Sequence, residues 1–132
     1  QLSEATRHVA RLYAAALDLP EVELVDHPEP PSMEYEAWRA IFDSFGALPF
    51  SYYLVVLDPS IDGLEGVDKP GAGDLADDLA DIYRDLIEGL WLLHNGCEQA
   101  AVWHWRFSFR SHWGQHATSA LRAMHCVEPK GG

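Results

Sequence analysis

The stretch that decides the fold is Ala101-Val-Trp-His-Trp-Arg-Phe-Ser-Phe-Arg-Ser-His-Trp-Gly-Gln-His-Ala-Thr-Ser-Ala-Leu-Arg-Ala-Met-His125. Its first half alternates: Trp103, Trp105, Phe107 and Phe109 interleave with His104, Arg106, Ser108 and Arg110, the two-residue period of a strand. Its second half, through Ala117, Ala120, Leu121, Ala123 and Met124, is built of good helix formers, with no turn before Val127. Gly114 alone does not end a helix. On a helical wheel Val102, Trp105, Phe109, Trp113, Ala117, Ala120 and Met124 share one broad face, flanked by Trp103, Phe107 and Leu121. The segment therefore reads as one long, mostly buried helix over 98–127.

Glu98 to Val127 holds three Trp, two Phe, four His and three Arg with a single acidic residue. So many aromatic and ionisable groups cannot all reach water. Some histidines or arginines must face the core, where each needs a partner to offset desolvation. The partners stand upstream, between Asp74 and Glu88. Leu75, Leu79, Ile82, Tyr83, Leu86, Leu90 and Leu93 form the apolar stripe of a helix over 74–95, which Asn95-Gly96 ends. Asp74, Asp77 and Asp78 suit the positive end of its dipole, and capping plus a solvated face explains most of its acids. The short turn at Asn95-Gly96 makes these two helices an antiparallel core hairpin.

Further out, Ala5, Val9, Leu12, Tyr13, Ala16 and Leu17 predict a helix near 3–18 that Pro20 stops. After a loop rich in Pro and Glu, Ser32 reads as the cap of a helix over 32–48 with Trp38, Ile41, Phe42, Phe45 and Leu48 on one face. Phe50 to Leu57 has strand-forming residues but no convincing partner strand, so a short buried helix over 50–57 is expected. Ser60 to Gly73, rich in Gly, reads as a surface loop. The expected fold is all-α: one domain, 1–132, as a bundle of four main helices.

At 132 residues the chain is long enough for one sizeable core. Hydrophobic content of 48% excludes a disordered chain despite a net charge of −12. That charge argues against nucleic acid and anionic membrane as partners. It is also unevenly placed, for Asp18 to Glu36 carries seven carboxylates and no Lys or Arg. No apolar run is long enough for a membrane span, and no signal-peptide pattern opens the chain, although Gln1 leaves a lost leader open. Cys97 and Cys126 would lie about 43 Å apart on a single helix, far beyond disulfide reach. Reduced thiols in a cytoplasmic protein are expected.

Two blocks carry a family resemblance. Asp77-Asp-Leu-Ala-Asp-Ile-Tyr-Arg-Asp-Leu-Ile-Glu-Gly-Leu90, and Val102-Trp-His-Trp-Arg-Phe-Ser-Phe-Arg-Ser-His-Trp-Gly-Gln-His116 with Ala120-Leu-Arg-Ala-Met-His125, resemble a bacterial family known as domain of unknown function 5063. The blocks cover roughly a third of the chain, and the N-terminal half matches loosely. The resemblance implies a helical fold and no particular activity.

His112 and His116 lie one helical turn apart, a frequent metal-ligand spacing. Packed beside the 74–95 helix, they face Asp78, Asp81 and Asp85, and two His with carboxylates suit a divalent metal such as zinc or iron. The plainer expectation is a buried polar seam in which these aspartates accept bonds from Arg106, His112 or His116. The Glu-x-x-His repeats of di-iron bundles are absent. Asp77, Asp78, Asp81 and Asp85 also mimic one acidic motif of helical nucleotide pyrophosphohydrolases, but a second acidic motif is missing. No nucleophilic triad or glycine-rich phosphate loop is visible. Tyr83, Trp105, Phe109 and Trp113 describe either a packed core or the walls of a cleft for a small anionic ligand, with Arg106, His112 and His116 at its polar end.

Three functions follow. The first is a small, acidic, non-catalytic interaction module without a cofactor, meeting a basic protein partner through Glu21 to Glu36 and Asp62 to Asp78. The second is a metal-dependent hydrolase or oxygen-handling enzyme centred on His112 and His116. The third is a binding protein for a small anion. The oligomeric state is left open by the sequence.

Overall fold

A computed structural model describes residues 2–56, 59 and 71–127. In chain order the elements are α1 (Leu2–Leu17), α2 (Tyr35–Ser44), β1 (Tyr52–Val55), β2 (Gly71–Asp74), α3 (Leu75–His94), α4 (Glu98–Ser108), a π-helical turn (Phe109–Trp113) and α5 (Gly114–Val127). The described residues are mainly helical, with one small antiparallel strand pair among them.

The C-terminal segment is helical throughout, including the alternating stretch Trp103 to Arg110. Helix wins there because one element buries a continuous face from Phe109 through Trp113, Ala117 and Ala120 to Met124. The long helix is interrupted, however. The π-helical turn inserts extra backbone before Gly114 and shifts the phase of what precedes it. Trp105 consequently leaves the Phe109–Met124 face and packs with Leu92, Ala100 and Ala101 in a second cluster. Its Nε1 donates to the Leu86 carbonyl at 3.0 Å, and any Cβ at Gly89 would collide with its indole. Gly114 is what the turn requires, since a Cβ there would stand 2.5 Å from the Phe109 carbonyl oxygen.

The expected helix at 50–57 is a strand instead. Tyr52, Tyr53, Leu54 and Val55 pair antiparallel with Asp74, Gly73, Ala72 and Gly71. The partner strand takes the last residues of the expected 60–73 loop; residues 60–70 lie outside the described part. Gly-Ala-Gly-Asp has little intrinsic strand preference, and its glycine serves another purpose. The Tyr53 ring lies over Gly73, where a Cβ would overlap it. The N–H of Leu75 then bonds the Ser51 carbonyl at 2.8 Å, tying the strand pair to the start of α3.

The second helix is shorter than 32–48. It starts after Glu34 rather than Ser32 and makes no side-chain capping bond. Asp74, by contrast, caps α3 by accepting from the N–H groups of Ala76 and Asp77. The main core joins Val9 and Ala16 of α1 to Leu75, Leu79 and Ile82 of α3 and to the Phe109–Met124 face. Cys97 and Cys126 are free thiols. Among the described residues no helix is long and apolar enough to cross a membrane.

Candidate metal centre

Where α3 meets the π turn and α5, five of the residues singled out by spacing come together. Asp78, Asp81 and Asp85 stand on one face of α3. His112 lies in the π turn and His116 in the first turn of α5. Asp78 and Asp81 are buried, 4% and 9% exposed, so a solvated face does not account for them.

Each histidine is oriented by its own carboxylate. His112 Nδ1 lies 2.6 Å from Asp85 Oδ2, and His116 Nδ1 lies 2.7 Å from Asp78 Oδ1. The other Asp78 oxygen accepts the Tyr53 hydroxyl. Asp81 is held differently: its Oδ1 accepts from Trp38 Nε1 at 3.0 Å and pairs with Arg84 Nη2 at 3.1 Å. This leaves Asp81 Oδ2 facing His116 Nε2 at 3.5 Å. The two Nε2 atoms are 3.2 Å apart.

These contacts assign the protons. A carboxylate accepts only, so a neutral imidazole beside it carries its hydrogen on Nδ1 and its lone pair on Nε2. Both histidines then aim lone pairs at each other across 3.2 Å, with a carboxylate oxygen close by. Such an array is repulsive until a cation enters it. The cation is either a proton shared by the rings or a metal ion. Two nitrogens on one tetrahedral zinc lie about 3.3 Å apart, given Zn–N near 2.0–2.1 Å. The spacing found here fits that geometry without rearrangement, and an Nδ1–H held by a carboxylate is the usual support of a metal-bound histidine.

Asp81, His112 and His116 form one set whose ligand atoms all lie within 4.8 Å of one another; Asp77, Asp78 and His116 form another. The second set is pre-empted, because both Asp78 oxygens are already committed to His116 and Tyr53. The hydrogen bond to Asp78 holds the His116 pKa above its ordinary value, against the opposing effect of burial; the charges of Asp78, Asp81 and Asp77 add to the rise. Burial, then repulsion from Asp81, holds the Asp77 carboxyl above its usual range. Burial and the bond to Asp78 push the Tyr53 phenol strongly upward, so it stays protonated and donates.

The remaining residues proposed from sequence lie away from the two histidines, although Trp105 and Trp113 line one apolar cavity with Leu12, Leu86 and Leu90. Tyr83 faces an apolar cavity between α1, the end of α2 and α3. Phe109 and Trp113 are core, while Trp105 covers the α3–α4 turn. Arg106 lies with Glu21, Val22 and Trp103 and takes no part in the aspartate seam. His104 approaches Glu88 to 3.1 Å without hydrogen-bond alignment. The cavity that reaches His112 and His116, about 430 Å³, is walled by residues of the strand pair and by Asp77, Gln115 and Ser119 rather than by the tryptophans. Spacing missed Trp38 and Tyr53. Trp38 read as core on the amphipathic face of α2, and Tyr53 sat in a segment whose strand pairing has no local signature.

The fold is shared with a protein of solved structure, BF1032 from Bacteroides fragilis, at a TM-score of 0.76 and 18% identity over 99% of this chain and 77% of that one. Likeness at that identity shows the fold alone. No curated protein matches the chain. Residues 1–129 match the domain of unknown function DUF5063, and the chain belongs to that family.

Proposed function

We propose that the protein is a mononuclear metalloprotein in which His112 Nε2, His116 Nε2 and Asp81 Oδ2 hold a first-row divalent metal. The observation that supports this reading is the pair of Nε2 atoms facing each other at 3.2 Å while both Nδ1 atoms are held by carboxylates. In this reading Asp85 and Asp78 orient the ligands, and Trp38 with Arg84 fixes the third. Two histidines and one carboxylate suit zinc or iron(II), and three protein ligands leave coordination positions open to water or substrate. Bound there, the metal supplies Lewis acidity and a water of lowered pKa, which is hydrolytic chemistry. The chain's own part is to aim the two imidazoles, with each Nδ1 held by a carboxylate, and to fix Asp81 through Trp38 and Arg84. The scaffold in this reading is a four-helix bundle. Its core is the antiparallel hairpin of α3 with the α4–α5 run, supported by the opposed order of the contacts Leu86–Trp105, Asp85–His112 and Asp78–His116.

Elemental analysis of untagged protein purified without chelator tests the reading. About one zinc or iron per chain is expected, with loss of that metal in His112→Ala and in His116→Ala. Substoichiometric metal that ignores both substitutions would refute it.

A separate observation favours a second reading, an acidic interaction module in the cytoplasm. All seven carboxylates from Asp18 to Glu36 are exposed, on a segment without Lys or Arg. A surface of one sign steers a basic partner and weakens with salt. Capture of partners from a cell lysate at low and high salt tests it; partners indifferent to salt would count against it.

A further inference from the structure

The indole N–H groups of this chain are not served alike. Trp38 Nε1 donates to Asp81 and Trp105 Nε1 to the Leu86 carbonyl, each at 3.0 Å. Trp113 is 1% exposed, and its Nε1–H is shut off from water and meets no acceptor among the described residues. A buried donor without an acceptor is costly, and buried indoles ordinarily have one. Trp113 also borders a cavity of about 360 Å³ between α1, α3 and the run from α4 into the π turn, walled by Leu12, Leu19, Leu86, Leu90 and Trp105. Among the described residues no charged side chain and no hydroxyl lines it. The Trp105 N–H is already engaged, so Trp113 holds the one side-chain hydrogen bond this wall has to offer.

We propose that this cavity binds a small, uncharged, apolar molecule with one ketone-, ester- or ether-type oxygen, which accepts from Trp113 Nε1 as the indole turns to meet it. None of the lining residues belongs to the aspartate seam, so the inference does not depend on the metal reading. The volume lies in the range of small-molecule sites. A carboxylate, phosphate or ammonium would lose its hydration here and find no opposite charge in the wall. A lone water would meet one donor where it needs two to four partners. A pure hydrocarbon would leave the N–H unmet. One acceptor on an otherwise apolar body satisfies the wall completely. Such an occupant also covers Leu12 and Leu90, large apolar side chains that stand exposed. Leu12 and Leu86 border the neighbouring cavity near Tyr83 as well, which gives a longer apolar tail room to extend.

The test titrates the full chain with three probes built on one ring: acetophenone with an acceptor, cumene with none, and benzoate with a charge. Acetophenone and cumene are expected to bind, and benzoate at least about tenfold more weakly than acetophenone. Trp113→Phe keeps an aromatic wall and removes the donor, so the ratio of acetophenone to cumene affinity should fall about tenfold. Ala15→Phe, which fills the cavity from the exposed side of α1, should abolish binding of both. In the nitrogen-15 spectrum of the wild-type chain the Trp113 indole N–H signal should move downfield with acetophenone and not with cumene. Should Trp113→Phe fail to fold, that signal, assigned through its own ring protons, decides alone. An indole signal unmoved at saturating acetophenone would overturn the inference, as would an unchanged affinity ratio in a folded Trp113→Phe. So would benzoate binding as tightly as acetophenone, or no probe binding at all. A wild-type dimer that Ala15→Phe turns into monomers would give the cavity to a second copy of the chain and overturn it too.

Discussion

Replacing Asp78 by alanine is the sharpest perturbation of the seam. Asp78 is 4% exposed, and its two oxygens accept from Tyr53 and from His116 Nδ1. Alanine leaves a phenol and an imidazole without partners. Hydrogen bonds to a charged group contribute about 1.5–3 kcal/mol each. The His116 side chain keeps 25% of its exposure and can recover some hydration, so the two losses do not add fully. A net destabilisation of about 3–4 kcal/mol is expected, a large share of the 5–15 kcal/mol typical of a domain. The assay is urea unfolding of the metal-free chain at pH 6, with the slope checked for constancy. Tyr53→Phe removes one of the two bonds and should lose about 1–2 kcal/mol. Arg39→Ala breaks an exposed pair with Asp43 and should lose less than about 1 kcal/mol. An Asp78→Ala variant within about 1 kcal/mol of the parent would refute the reasoning, because a buried carboxylate serving two donors cannot be lost so cheaply.

Gly114→Ala places a Cβ against the Phe109 carbonyl; it should destabilise by about 1–3 kcal/mol and weaken metal binding by moving His112 relative to His116. Full metal affinity in a stable Gly114→Ala variant would show that the π turn does not position the pair. The His116 contribution to the metal-free fold depends on pH. Its pKa is raised above the ordinary 6.5, so its stabilisation is complete below about pH 6.5 and is lost as pH rises through the raised value. The stability difference between wild type and His116→Gln should therefore be larger at pH 5.5 than at pH 8.5, whereas metal affinity should rise with pH as the competing proton leaves. An equal difference at both pH values would count against the assigned bond. Arg106→Leu should change stability by less than about 1 kcal/mol, since Arg106 stands outside the aspartate seam; a loss of about 3 kcal/mol would mean that it serves a buried acid after all.

Much of this was legible in the residues themselves. The stripe from Leu75 to Leu93 and the face from Phe109 to Met124 have helical periods long enough to outweigh the local alternation at Trp103–Arg110. The seam was legible too, because His112 and His116 had to be partnered and only the Asp74–Glu88 run could supply acids. Three things were not. β2 is Gly-Ala-Gly-Asp, whose Gly73 serves the approach of Tyr53 rather than strand propensity. The π turn leaves no compositional mark except Gly114, and it moved Trp105 off the shared face. Trp38 and Tyr53 reach the aspartates through tertiary packing over 43 and 25 residues of sequence, which no spacing argument spans. Arg106 was placed in the seam by charge alone, and charge does not say which side of a helix faces the partner.

The most direct test of the metal centre is a crystal structure of the metal-loaded chain with data on both sides of the metal's absorption edge. An anomalous peak is expected about 2.0–2.2 Å from His112 Nε2, His116 Nε2 and Asp81 Oδ2, with Asp85 and Asp78 still bonded to the two Nδ1 atoms. An anomalous peak elsewhere, or none with the two rings bridged by a proton, would contradict the account.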